Sequence, residues 1–145
     1  FGAGHVTAAT ARALVSLQCR LTCIDPRHDW LAKLPEGVQT IVTDDPPSMV
    51  DQLSDDTYVL CMTRVHKSDL PVLQRIFATD RKFPFLGVIG SNAKAAVLHK
   101  ELVEAGIAKE KIDFQCPVGL SIGSNEPAEI AISITAQLLQ ARDQS

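Results

Sequence analysis

The chain has 145 residues, a formal net charge of −3, and 46% hydrophobic and 21% charged residues. That is ordinary globular composition, with length enough for a core burying roughly 68–70% of the unfolded surface. The acidic balance argues against bulk nucleic-acid binding, and no apolar run reaches the about 18 residues of a membrane span, so neither nucleic acid nor a membrane is expected as a partner.

The sequence opens on Phe1-Gly2-Ala3-Gly4-His5-Val6-Thr7, most of a dinucleotide-binding fingerprint. Glycines there let backbone amides approach a phosphate at a helix N-terminus. Thr7 stands where the third glycine belongs, and the strand that should precede Phe1 is missing, so the chain reads as a fragment without its natural N-terminus. No signal peptide is visible. His5 to Gln18 has helical periodicity, with Val6, Ala9, Ala13 and Leu17 on one face. Leu21 to Asp25 is the next strand, followed by Val38 to Thr43 and a short helix from the Pro46-Pro47 turn to Leu53. Tyr58 to Met62 is apolar throughout, as suits a central parallel strand. Ser68 can cap a helix through Leu70, Leu73 and Phe77, with Pro71 in its first turn. Phe85 to Ile89 is a strand, Ser91 to Ala105 a helix stopped by Gly106 and Ile107. Phe114 to Pro117 then leads through a glycine loop to a last helix from Pro127 to Arg142.

This alternation predicts an α/β fold: a Rossmann-like, doubly wound, mainly parallel sheet in three α/β/α layers, with its first strand truncated. Residues 1–145 form a single domain in this reading. Right-handed crossovers place all strand-to-helix loops on one edge, where open sheets bind ligands. Four loops should therefore converge: Gly2 to Thr7, Asp25 to His28, Thr63 to Asp69 and Gly90 to Lys94.

Each loop carries candidate chemistry. Gly2, Gly4 and His5 can present amides to a phosphate. Asp25, 21 positions after Gly4, can take a ribose hydroxyl, whereas Arg27 suggests an anion. Thr7 adds bulk between helix and strand and should hold the helix slightly outward. Thr63, Arg64, His66 and Asp69 follow the fourth strand, and Asp69 could fix the His66 tautomer. Gly90 and Ser91 precede a helix, and Lys94 in its first turn is unfavourable for the helix dipole unless an anion is near. Gly119 and Gly123 lie in a second possible anion nest, or in a loop that merely caps the last helix. His99 reads as solvated surface. Cys19 and Cys23 share a strand face, and the four cysteines read as reduced structural thiols of a cytoplasmic protein. Cys116 abuts the glycine loop. There is no zinc spacing and no metal site is expected. The last helix has a narrow polar stripe (Glu129, Ser133, Gln137, Gln140), and its broad apolar remainder suggests a homodimer interface.

Taken together, FGAGHV at 1–6, CIDPR at 23–27, CMTRVHKSDL at 61–70, FLGVIGSNAKAA at 85–96 and CPVGLSIGSNEPAEIAISI at 116–134 resemble the C-terminal Rossmann domain of the XdhC/CoxI family. These are accessory proteins of xanthine dehydrogenase and related molybdenum hydroxylases. The family usually has Gly at Thr7 and His at Arg64. The resemblance implies a cofactor chaperone without turnover and an upstream domain outside this chain. It further implies binding of molybdenum cofactor, as molybdopterin or its dinucleotide form. The implied partners are a xanthine dehydrogenase-type molybdoenzyme and a sulfurtransferase of the cysteine desulfurase kind. On that reading Gly2 to His5 hold the phosphate, Arg27, Arg64 and Lys94 balance charge, and His66 and Ser91 bond the pterin. Two alternatives stay open: an NAD(P)-binding oxidoreductase, and a nucleotide-sensing Rossmann module.

Overall fold

The computed structural model describes residues 1–145. The elements run α1 (His5–Leu14), β1 (Thr22–Asp25), α2 (His28–Leu31), β2 (Gln39–Val42), a 3₁₀ turn at Pro46–Gln52, β3 (Tyr58–Cys61), α3 (His66–Ala78), β4 (Phe85–Val88), α4 (Asn92–Glu104), a 3₁₀ turn at Lys109–Lys111 and α5 (Pro127–Asp143). All strand pairing is parallel: β1 with β2, and β3 with β4. The fold is thus the expected Rossmann-like α/β arrangement. The chain divides into two compact units, one of Phe1–Asp44 with Gly119–Ser145, the other of Asp45–Val118.

In the first unit β1 alternates little, burying Cys23, Ile24 and Asp25 in succession. Ala3, Cys23 and Leu31 form a small core with Trp30, Leu34 and Val38 packed on it. Helix α1 packs on α5. Ala9, Ala11 and Ala131 are buried there, and such small side chains let helices approach closely. Ser133, expected on a solvated stripe, is buried in α5 and donates to the Ile130 carbonyl. Ile132 is 59% exposed.

In the second unit every residue of β4 is buried, which fits its apolar run. Val72, Leu73, Ile76, Phe77, Leu98 and Leu102 cover the sheet from α3 and α4. Each such side chain contributes about 1.5–3 kcal/mol when taken out of water. Gln115 bridges in parallel to Gly87, extending the sheet by one position. Gly106 takes a φ of 94° and Ile107 donates back to Leu102, the predicted helix stop.

Several boundaries differ from expectation. Helix α1 ends at Leu14 rather than Gln18, because tight turns take over: Leu17 donates to Leu14, Cys19 to Leu17, and the Ser16 hydroxyl to Ala13. Cys19 therefore lies outside β1 and is exposed, so it shares no strand face with Cys23. Helix α3 begins two residues before Ser68, behind Val65, with no side-chain cap. Pro71 then sits one turn inside the helix, on its exposed side. His99 is half-buried and stacks on Phe114 at 4.7 Å, because the aromatic ring offers a better neighbour than water. No helix is long and apolar enough to cross a membrane.

Candidate functional site

The loops expected at a ligand-binding edge meet in pairs, one pair in each unit. In the first unit the opening turn is built against Asp25. Gly2 has a φ of 101°, a left-handed conformation that favours glycine, and its amide bonds the Ile24 carbonyl at 2.9 Å. Ala3 donates its amide to Asp25 Oδ2 at 2.8 Å. Arg27 closes the other side, with Nε and its own amide on Oδ1 and Nη2 on Oδ2, all within 2.9 Å. Asp25 is 2% exposed. Burial alone would raise its pKa, but the bonds from Arg27 and Ala3 outweigh that and hold the carboxyl below the usual range. Hydrogen bonding to Asp25 in turn raises Arg27 further.

The expected roles of this turn change accordingly. Asp25 is a clamp on the glycine turn rather than a free ribose hook, because its acceptor positions are filled from within. Thr7 is tied into the turn itself. Its hydroxyl bonds the Gly2 carbonyl at 2.8 Å, so the added bulk becomes part of the turn.

Beside this clamp lies a cleft of about 380 Å³ lined by Ala3, Gly4, His5, Ala8, Arg12, Trp30, Lys33 and Pro127. Gly4 caps α1 with no side-chain bond, and a Cβ there would meet nothing within 4 Å. The α1 amides and the positive end of its dipole therefore open on this side. Trp30 is an aromatic wall: His5 meets it edge-on at 5.0 Å, Arg27 lies over the ring at 5.0 Å and Lys33 at 4.6 Å. Arg12, Trp30 and Lys33 were absent from the sequence-based candidates. Their signal was spacing: His5, Ala8 and Arg12 share a face of α1, and Lys33 follows Trp30 by three residues in the turn that closes α2.

In the second unit Asp69 is fully buried, with 0% exposure. It accepts from the Thr63 hydroxyl at 2.7 Å and from Lys94 Nζ at 2.6 Å. Lys94 also donates to the carbonyls of Thr63 and Ile89, so its three protons have three acceptors. The anion beside Lys94 at the start of α4 is thus Asp69. Asp69 does not orient His66 either; His66 Nε2 lies 3.5 Å from Glu101. Gly90 is set by this network, since a Cβ there would stand 2.4 Å from Lys94 Cδ. Ser91 caps α4 by accepting from the Lys94 amide. An open hollow of about 520 Å³ remains, lined by Arg64, Val65, His66, Gly90, Ser91, Ala93, Lys94 and Val97.

The second glycine loop is occupied by its own helix. Gly119 donates its amide to Gln137 at 2.7 Å, while the Ser124 amide and hydroxyl both bond Glu129. Gly119 must be glycine: its φ is 106° and a Cβ would lie 2.5 Å from Ser133 Oγ. Gly119 and Gly123 thus lie in a loop tied to α5 by Gln137 and Glu129, and α5 itself starts without a side-chain cap. The four cysteines are free thiols. Burial pushes Cys61 up to about 12, and burial likewise raises Cys23 and Cys116. Cys116 is half-buried against the Ser91 carbonyl, so its thiol stays protonated at neutral pH. No three His, Cys, Asp or Glu side chains gather as a metal cage.

The chain is a Rossmann-type α/β protein whose first glycine turn opens on a cleft lined by cations and an aromatic wall. The comparisons narrow the class. Residues 1–138 match the family model of the XdhC Rossmann domain, and the chain belongs to that family. It is 29% identical over 147 residues to the uncharacterized protein YqeB of Escherichia coli strain K12, covering 98% of this chain and 26% of YqeB. A crystal structure described as a xanthine dehydrogenase from Bacillus halodurans superposes with a TM-score of 0.81 at 26% identity, over 99% of this chain and 41% of that one. The chain therefore spans about a quarter of the one relative and two fifths of the other.

Proposed function

We propose that this chain is the ligand-binding part of an accessory protein for a xanthine dehydrogenase-type molybdoenzyme, and that it holds the molybdenum cofactor during sulfuration and insertion. Family membership supports the accessory role. The observation that carries the ligand reading is the cleft of the first unit. Its open Gly4 turn, Arg12 and Lys33 suit the phosphate end of a pterin cofactor, and the Trp30 wall suits a flat ring. When bound, the cofactor would bring its metal on its own sulfur ligands. The residues here bind and orient it.

Asp25 keeps the turn in shape, Gly4 and His5 amides face the phosphate, and Arg12 and Lys33 neutralise it. On this reading the protein works in the cytoplasm, with a cysteine desulfurase as sulfur donor and a second copy as a further partner. The exposed Ile132 of α5 fits the last of these. The test is to purify the full-length protein from cells that make the cofactor and measure released pterin by fluorescence. Arg12→Ala and Lys33→Ala should lose it. Retention in both, with loss in Arg64→Ala alone, would move the ligand to the hollow of the second unit. Absence of pterin from the unaltered protein would remove the cofactor role.

A further inference from the structure

An acid at the end of the strand after a glycine turn ordinarily accepts from a ribose hydroxyl, and an arginine nearby ordinarily accommodates a ribose phosphate. Here both are present, and their geometry decides between them. A carboxylate offers about four lone-pair positions. Asp25 receives the Ala3 amide, the Arg27 amide, Arg27 Nε and Arg27 Nη2, and it is 2% exposed. A vicinal diol arriving at this point would find no free acceptor and would forfeit its own bonds to water.

Arg27 is the opposite case. Asp25 fixes two of its donors from behind, and Trp30 supports the guanidinium at 5.0 Å. Its side chain is still 49% exposed, and Asp25 takes only two of its five side-chain N–H donors. A guanidinium pinned in this way loses little freedom when it takes an anion. Lys33 sits over the same ring at 4.6 Å, and Arg12 lines the cleft that the ring walls. These cations outnumber the single buried carboxylate among them, which suits a dianion.

We infer that the cleft of the first unit recognises a phosphate monoester and rejects a free ribose diol, with Lys33 on the cleft and Arg27 beside its Trp30 wall reading the phosphate. This recognition presupposes that the cleft is the ligand site proposed above. The monoester has two candidate sources: the terminal phosphate of a pterin, or the 2′-phosphate of a nicotinamide dinucleotide.

Two matched pairs test it on the full-length protein by calorimetry. NADPH and NADH differ at the 2′ position only, and 6-hydroxymethylpterin phosphate differs from 6-hydroxymethylpterin by its monoester. The phosphorylated member of one pair should bind about tenfold tighter, and that pair names the source. Lys33→Ala and Arg27→Gln should weaken the phosphorylated member's binding more than the unphosphorylated member's, which a general loosening of the fold would not do. Lys33 is exposed, so that variant keeps the fold even if Arg27→Gln does not. Equal affinities within both pairs, no binding of either phosphorylated compound, or undiminished preference in both variants would overturn the inference. Pterin retained on purification without any monoester preference would overturn this inference alone. NADPH preference without retained pterin would overturn the cofactor role and leave this one standing.

Discussion

Asp25 and Asp69 are both buried carboxylates beside strand-to-helix loops, and each takes a backbone amide and a cation from its surroundings. They differ in where the cation ends. Lys94 comes from 25 residues away, is 12% exposed and has all three protons engaged inside. Arg27 comes from two residues away, is 49% exposed and gives Asp25 only two of its five side-chain N–H donors. The second arrangement can meet a ligand; the first can only hold two loops together. One motif, a buried acid with a basic partner, thus makes a closed brace in one unit and leaves a half-exposed cation in the other. What decides is whether the cation's hydrogen-bonding capacity is exhausted within the fold.

The largest effect should come from breaking the brace. Lys94→Met leaves a buried, unpaired carboxylate and should lower stability by about 3–5 kcal/mol in urea titration. Adding Asp69→Asn should recover much of that loss. A loss below 1 kcal/mol in the single variant would mean that water reaches Asp69 and that the pair is no brace.

Asp25→Ala should cost less, about 1–3 kcal/mol, mainly from the orphaned Ala3 amide. The pH dependence carries a sign. Asp25 has a folded pKa below its ordinary value near 3.8. Its contribution is therefore complete above that value and is lost as pH falls through the folded pKa. Urea midpoints from pH 7 downward should fall for the unaltered chain, and Asp25→Asn should flatten part of that fall. An equally steep fall in Asp25→Asn would show that other carboxylates govern it.

Gly90→Ala tests how tightly the brace is packed. The added methyl meets the Lys94 stem, and its φ of 154° lies outside the usual range for a side chain. Overpacking and strain should cost about 1–3 kcal/mol. If Lys94 gives way, the effect should shrink in the Lys94→Met background.

Thr7→Ala should be the mildest, about 0.5–1.5 kcal/mol, from the lost bond to the Gly2 carbonyl. The alternative, that Thr7 overpacks the turn, predicts a gain in stability instead. A thermal melt distinguishes the two by direction alone.

Much of the fold was legible because its signals are local. Apolar runs marked each strand, Ser91 marked the start of α4, and Gly106 with Ile107 marked its end. The premature end of α1 was not legible, since turn bonds among Leu14, Ser16 and Leu17 compete with the helix without disturbing its periodicity. The site was legible only in part. Gly4, His5 and Arg27 sit where the fingerprint suggested, whereas Trp30, Arg12 and Lys33 join them only when α1 and α2 come together. Lys94, His66 and Gly119 looked like ligand contacts because their types suit anions, yet each has a partner inside the protein.

The sequence alone determined the order of elements, the parallel α/β class, the family, and the glycine turn at the start. Those follow from side-chain periodicity and from backbone conformations that few residues adopt. Tertiary structure decided which charges are free. Asp25, Asp69, Arg27 and Lys94 are equally polar on paper, and only packing brings one carboxylate within 3 Å of the Arg27 guanidinium and the other within 3 Å of the Lys94 ammonium. Availability to a ligand is a property of what remains unbonded after folding, and it is fixed by distances that no local pattern encodes.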